Sequence, residues 1–532
     1  VEGSRNSISI NNLPGGTIFN NSDQQFNNNI FRQKADATYT FIVDSTSTIK
    51  VTASGSVGDS KTTDHFTARS TRDSLLLNTD DRVLSNNGKQ EQFNSSLLWN
   101  KKLPKKGRTI SVFASQALNR DNTEGYLNAV NEFYSGTGSQ PDSIRRTDQY
   151  KVNKSFGNTL RTNVTYSEPI AKNLSAVINY GLNINNSSSD RRSFNKSASG
   201  SYDVLDTQFS NNFELDQTTN QVGASFNYQQ AKTTLNFGTK VSDVKFKQYD
   251  VYADKTYQRN FTNWNPQATY RYRFSQQSGI GLTYRGNNSQ PGIDQIQPIR
   301  VNTDPLNITL GNPDLKPSFT NNFSVDYSTY KILSEQYIYI SAYYSFTNNA
   351  ITNNTVTDDA GKNTFQAVNI KDNTPANFYI YASMERKVKK IDAAVGLEFN
   401  SNGYSSFNMV NNELSKTMFG DYYGNIYISK QAAKKYSFRA SVGPAYTSMT
   451  SSLQSNNSKG WGVDASGNFT VFLPGKVEIS SDASYQYKKP TQVFAQNLDR
   501  FIWNAAISKK FFKSENLRAT LRGNDLMNQN NG

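Results

Sequence analysis

Apolar and polar side chains alternate along this chain at a period of two, in run after run of about ten residues. A strand sends successive side chains to opposite faces, so each run predicts a strand with one apolar face. The clearest is 335–347, where Ile338, Ile340, Ala342, Tyr344 and Phe346 share a face. In 173–184, Leu174, Ala176, Ile178, Tyr180 and Leu182 alternate with Ser175, Val177, Asn179, Gly181 and Asn183. Helical periodicity is scarce, and there is no run of about 18 apolar residues that would cross a membrane as a helix. A membrane strand needs only about ten residues, of which alternate ones meet lipid.

From Ala35 onward the runs pair into about ten hairpins, or about 20 strands. The pairs are 35–43 with 47–57, 91–100 with 108–118, 157–167 with 173–184, 220–229 with 232–246 and 261–274 with 278–287. Then come 318–329 with 335–347, 376–387 with 391–400, 418–429 with 435–448, 461–472 with 476–487 and 499–511 with 516–523. Connections within a pair are short and those between pairs are mostly long. That asymmetry fits short periplasmic turns and long extracellular loops, and a soluble sandwich or propeller has no reason to keep it.

A soluble chain of 532 residues would normally split into several domains, barrels being the main exception. Only 35% of residues are hydrophobic and mean hydropathy is -0.69, yet there are 30 Tyr and 32 Phe, which excludes a disordered composition. Cysteine is absent, so disulfides and thiolate metal sites are excluded. The net charge of +14 comes largely from short Lys clusters between strands, not from one basic face, which argues against nucleic acid. Residues 1–34 are polar and Asn-rich with a turn at Pro14-Gly15-Gly16, and are read as a loosely structured lead-in; 35–532 are read as the barrel domain. Val1-Glu2-Gly3-Ser4 does not open a signal peptide, so a leader has been removed or the chain is an internal piece of a longer protein.

In lipid every backbone group needs an internal partner, so a spanning sheet must close. Its apolar face meets acyl chains, and Tyr343, Tyr344, Phe346, Tyr485 and Tyr487 suit the aromatic girdles at the interfaces. A wall of about 20 strands encloses a lumen too wide for side chains to fill, and nothing in the sequence supplies a plug.

The most distinctive local motif is Gly311-Asn312-Pro313-Asp314-Leu315-Lys316-Pro317, followed by a strand in which Phe319, Phe323, Val325 and Tyr327 share the apolar face. Pro313 and Pro317 lack an N–H and cannot sit inside a ladder, so the chain breaks there and re-enters the wall at a fixed point. Together with the turn Trp99-Asn100-Lys101-Lys102, Lys105-Lys106-Gly107-Arg108-Thr109, this motif resembles the barrel part of TonB-dependent receptors, especially the Bacteroidota-type outer membrane β-barrel family. The resemblance covers most of the chain from about residue 30 and makes Asn312, Pro313, Leu315, Lys316 and Pro317 structural family positions. It implies an all-β transmembrane antiparallel barrel of 22 strands, two more than read here. It also implies an upstream plug domain, a TonB complex as partner, and uptake of a nutrient such as a siderophore, glycan or peptide. The chain departs from the family pattern in showing no plug, no TonB box and no terminal aromatic strand.

Nothing points to an enzyme or to a bound cofactor. His65 is the only histidine and makes neither a triad nor a zinc site; Asp80-Asp81 and Asp358-Asp359 lack the spacing of a calcium loop and read as turn acids. Ligand contacts are expected from long loops and the lumen face, where Tyr126, Phe133, Tyr134, Tyr404 and Phe407 offer rings. The functional expectation is thus an integral outer-membrane receptor or transporter in contact with lipid and lipopolysaccharide. The alternative is a plug-less structural or adhesive barrel that binds a partner through its loops, and behind it a soluble β-rich adhesin.

Overall fold

The structure, a computed structural model, describes the chain except residues 14–15, 136–139, 297–306, 359–360, 454–457, 491–495, 513 and 530–532. The described residues form one sheet of 25 strands. In chain order these are β1 (Glu2–Leu13), β2 (Gly16–Asp44), β3 (Ser47–Arg72), β4 (Leu75–Lys102), β5 (Thr109–Phe133), β6 (Ser143–Ala171), β7 (Leu174–Lys196), β8 (Tyr202–Leu205), β9 (Asn211–Gln230), β10 (Thr233–Asp250), β11 (Lys255–Ser275) and β12 (Ser278–Ser289). A short helix α1 (Ile293–Ile296) precedes β13 (Asn307–Leu310), β14 (Ser318–Lys331), β15 (Gln336–Asn348), β16 (Ile351–Thr357), β17 (Asn363–Asn369), β18 (Ala376–Val388), β19 (Ala393–Val410) and β20 (Glu413–Ala432). The last are β21 (Tyr436–Ser451), β22 (Ser458–Leu473), β23 (Val477–Lys488), β24 (Leu498–Phe511) and β25 (Leu517–Gly523). Each of the ten hairpins expected from the alternation is present, and the wall runs as an antiparallel meander with β8, β13, β16 and β17 as additions at the long-loop end.

The registers join the apolar positions into continuous rows. One row reads Leu174, Tyr228, Leu235, Tyr270, Leu282, Val325, Ala342 and Ile380 across β7, β9, β10, β11, β12, β14, β15 and β18. Another passes Ala176, Phe226, Phe237, Ala268, Tyr284, Phe323, Tyr344 and Phe378. On the other face the same strands pair Arg271 with Gly281, Gly281 with Asp326, Asp326 with Ser341 and Ser341 with Tyr381. A one-residue slip would exchange the faces, so this pattern fixes the register of the wall. Among the expected girdle residues Tyr343 departs: it lies on the polar face, where its hydroxyl donates to Asn322 Oδ1 at 2.7 Å.

Two stretches read as irregular are strands. Residues 2–13 and 16–34, taken from their polarity as a loose lead-in, form β1 and about the first two thirds of β2; Pro14 and Gly15 of the expected turn lie outside the described residues. The long polar loop between the first two pairs is a ladder, with Arg72 opposite Leu75 and His65 opposite Val83. Ser, Thr, Asn and charged residues occupy both faces there, so no hydrophobic period marks the strands although backbone pairing continues. From Gly55 to Arg72 this ribbon extends about 55 Å at about 3.3 Å per residue. The pairings stop at two edges: β1 covers β2 only as far as Asn27, and among the described residues none joins β25 to β2.

The cationic short turns are tied to one another by a few acids. Lys101 reaches Asp44 at 3.2 Å, and Lys105 and Arg108 both reach Glu168 at 2.6 Å, so the Trp99–Thr109 motif links the turns on either side of it. Lys387 and Lys430 share Asp392, and Lys476 and Lys510 share Glu515. The hydroxyl and amide of Thr46, with Lys101, hold the Asp44 carboxyl down to about 2. Hydrogen bonds from Arg108, Lys105 and Tyr166 push Glu168 well below the usual carboxylate range. A carboxyl lowered in the native state stabilises it above the ordinary value of 4.5, and loses that contribution as pH falls toward the native value. Glu168→Gln is therefore expected to lower the unfolding temperature of the refolded barrel at pH 7, with the gap to wild type shrinking below about pH 4. A gap that is constant down to pH 2, the wild type remaining folded there, would contradict this.

Candidate functional site

The polar face and the mouth at the long-loop end are where a solute would meet this protein. The motif Gly311–Pro317 does more there than end a loop. Leu315 is buried, 3% exposed, against Ile296 of α1 and Ala367 of β17, with Ile351 of β16 beside them. Asn312 uses its side chain twice: Nδ2 donates to the Ala367 carbonyl at 2.9 Å, and Oδ1 accepts from the Asp314 amide at 3.0 Å. Lys316 and Asn369 exchange bonds, N–H to Oδ1 at 2.8 Å and Nδ2–H to carbonyl at 2.9 Å. Asn349 Nδ2 donates to the Pro317 carbonyl at 2.9 Å, and Gln366 Nε2 to that of Gly311 at 3.2 Å. The missing N–H groups of Pro313 and Pro317 leave no orphaned donors in this bend. Of the family positions, Asn312 and Leu315 carry the side-chain contacts, Lys316 acts through its backbone, and the ring of Pro313 is exposed.

The motif thereby holds a small sheet at the mouth. β13 pairs parallel with β17, from Asn307 with Asn363 to Leu310 with Gln366. β16 pairs parallel with the end of β19, where Thr352 Oγ1 donates to the Phe407 carbonyl at 2.6 Å and Asn354 Nδ2 to Asn412 Oδ1 at 2.7 Å. Three connections of the wall, 289–318, 348–376 and 410–413, are thus locked together. The partner residues Asn349, Gln366 and Asn369 escape sequence reading because they lie about 30 to 55 residues from the motif and carry no periodic signal of their own.

Farther down, the polar face carries a charged cluster. Arg439 lies 2.5 Å from Glu398 and 3.6 Å above the Tyr427 ring; the Tyr427 hydroxyl donates to Glu385 at 2.9 Å and that of Tyr381 to Glu398 at 3.2 Å. Tyr427 lies across Gly396, where an added Cβ would stand 2.3 Å from the ring, so the glycine makes room for the aromatic. The cluster braces β18, β19, β20 and β21 from the lumen side. Its members are about 20 to 40 residues apart, so no local pattern in the sequence brings them together.

The five candidate rings do not converge. Tyr126 is on β5, on the same face as the apolar rows, packed against Tyr150 and Tyr202 at 5.2 and 5.4 Å. Phe133 ends β5 and Tyr134 follows it, its hydroxyl on Glu132. Phe407 is buried, and Tyr404 stacks on Phe419 at 5.3 Å on the polar face of β19. The Glu124 acceptor pushes the Tyr150 phenol up to about 12, so it stays protonated. Of the acids expected in turns, Asp80 and Asp81 instead belong to β4, where Asp80 is buried against Asn131 and Arg82 and Asp81 bonds His65 at 2.8 Å. Asp358 caps a turn through the Lys362 amide, and Asp359 lies outside the described residues. Among the described residues no group of three or more His, Cys, Asp or Glu side chains is placed to hold a metal ion.

A family model described as the outer membrane protein beta-barrel family matches residues 101–421. Among solved structures the chain is similar to the outer membrane transporter YddB from Escherichia coli, at 11% identity over 95% of this chain and 76% of that chain with a TM-score of 0.42. It is also similar to the siderophore receptor PirA from Pseudomonas aeruginosa, at 11% identity over 91% and 75% with a TM-score of 0.39. For the FrpB iron transporter from Neisseria meningitidis the values are 11%, 94%, 78% and 0.44. No curated protein matches the chain.

Proposed function

Because this chain belongs to the outer membrane protein beta-barrel family, we propose that it forms the wall of a receptor that imports a nutrient, with energy delivered through TonB. One observation supports this most: the registers sort the side chains of the wall into an apolar face and a polar face, as needed between lipid and a water-filled or plugged lumen. The short turns then face the periplasm, and the Gly311–Pro317 assembly faces outward, where a ligand arrives. In this reading the full-length protein carries a plug domain that fills the lumen and engages the TonB complex, while the outer face contacts lipid and lipopolysaccharide. The ligand is a siderophore, glycan or peptide.

Uptake by cells expressing the full-length protein, assayed with labelled ferric siderophores, oligosaccharides and peptides, tests the reading. At least one class is expected to accumulate, and collapse of the proton-motive force should abolish accumulation without abolishing surface binding. Accumulation that survives the collapse, or surface binding with no accumulation of any class, would overturn TonB-dependent import and favour a barrel that only binds partners.

A further inference from the structure

The hairpin β16–β17 leaves the wall between β15 and β18, yet its far end does not rest near them. At its turn Gly361 is buried, and a Cβ added there would stand 2.7 Å from Asn78 Nδ2 and 3.8 Å from Leu77 Cβ, both on β4. Along the meander β15 and β18 lie nine and ten strand positions beyond β4. That is close to half the circuit of a barrel of about 20 strands, so β4 rises from the facing wall, and Leu77 and Asn78 lie at the far end of the polar ribbon in which it continues. The hairpin covers part of that distance: β16 extends about 20 Å from Ile351 to Thr357, against roughly 40 Å across about 20 strands spaced about 4.8 Å and tilted about 40°, and the polar ribbon of β3 and β4, on whose far end Leu77 and Asn78 lie, covers the rest. The landing place is built for a contact: Asn78 and Asn131 are 0% exposed and Asp80 is 2% exposed, although they sit near the ends of β4 and β5, where an open mouth would leave them wet.

We propose that β16–β17 is a fixed strap across the outer mouth, anchored at its root by the Gly311–Pro317 motif and at its tip on β4, so that solutes enter the lumen only beside it. A swinging lid would be drawn from the weakly bonded parts of the fold. Here the root holds the buried Leu315 and the side-chain bonds of Asn312, Asn349, Gln366 and Asn369, while the flank is paired to β19. The strap strands Ile351–Thr357 and Asn363–Asn369 carry no charged side chain, so a passing solute meets amides, hydroxyls and apolar groups such as the exposed Val356. This concerns the wall itself and stands whether or not import depends on TonB.

This chain has no cysteine, so with any cysteine elsewhere in the full-length protein replaced by serine, pairs introduced here allow a direct test in outer membranes. The Cβ separation of 3.8 Å between positions 77 and 361 is that of an ordinary disulfide. Leu77→Cys with Gly361→Cys is expected to cross-link on oxidation in most molecules, seen as a shift in non-reducing gels, while either single substitution gives no shift. A pair that folds, as judged by heat-modifiable migration, and does not cross-link would overturn the strap. Gly361 has φ +78, which strains a cysteine, so a second measurement decides if that variant fails to fold. Asn402→Cys lies on the polar face of β19 below the strap. It should react with a small maleimide but hardly with a bulky polyethylene-glycol maleimide, and Leu315→Asp should admit the bulky reagent. Equal bulky labelling with and without Leu315→Asp would overturn the proposal.

Discussion

Val325→Arg is expected to cost the membrane-inserted barrel about 2–4 kcal/mol, whereas Ser324→Arg, one residue away, leaves its stability near that of wild type. Val325 stands near the middle of β14, between Leu282 of β12 and Ala342 of β15, in a row that is apolar over many strands. A guanidinium there replaces contact with acyl chains and must either be dehydrated or drag water inward. Ser324 lies between Thr283 and Tyr343 on the opposite face, where an arginine meets hydroxyls and water. Urea unfolding of the two variants in lipid vesicles measures the difference. Equal costs would mean that the faces are assigned to the wrong environments.

Leu315→Ala is expected to loosen the mouth and not the wall. The side chain fills a cluster of a few residues with Ile296, Ala367 and Ile351, so truncation costs about 2–5 kcal/mol in local stability. At the lower end, about 2 kcal/mol, amides of 351–357 and 363–369 exchange about thirtyfold faster. Amides of β14 and β15 should keep wild-type protection, because their ladders do not depend on Leu315. Hydrogen exchange resolved by peptide separates the outcomes, and a uniform loss of protection would show that the motif supports the barrel as a whole.

Those two positions mark what could be read from the sequence and what could not. Val325 announces its place through its neighbours in the chain, because period-two alternation is a local signal and the strand converts it directly into inside and outside. The ten hairpins were legible for the same reason. Leu315 sits in a motif that signals a break and a family, but its partners Ile296, Ala367 and Asn369 are distant in sequence and no spacing rule leads to them. The polar ribbon between Gly55 and Phe93 was hidden for the opposite reason: both faces are wet, so the alternation vanishes while the ladder persists. The lumen brace of Glu385, Glu398, Tyr427 and Arg439 depends on three strand-to-strand registers, which only the assembled wall supplies.

The central claim is that one face of this sheet meets lipid and the other water. Single cysteines placed in turn at Asn322, Phe323, Ser324, Val325, Asp326 and Tyr327 of the full-length protein, probed with a membrane-impermeant maleimide in permeabilised outer membranes, test it most directly. The expected result is labelling at 322, 324 and 326 and protection at 323, 325 and 327, with the protected set becoming reactive after denaturation. Uniform labelling along the strand, or the reversed alternation, would contradict a barrel that presents Val325 to the bilayer.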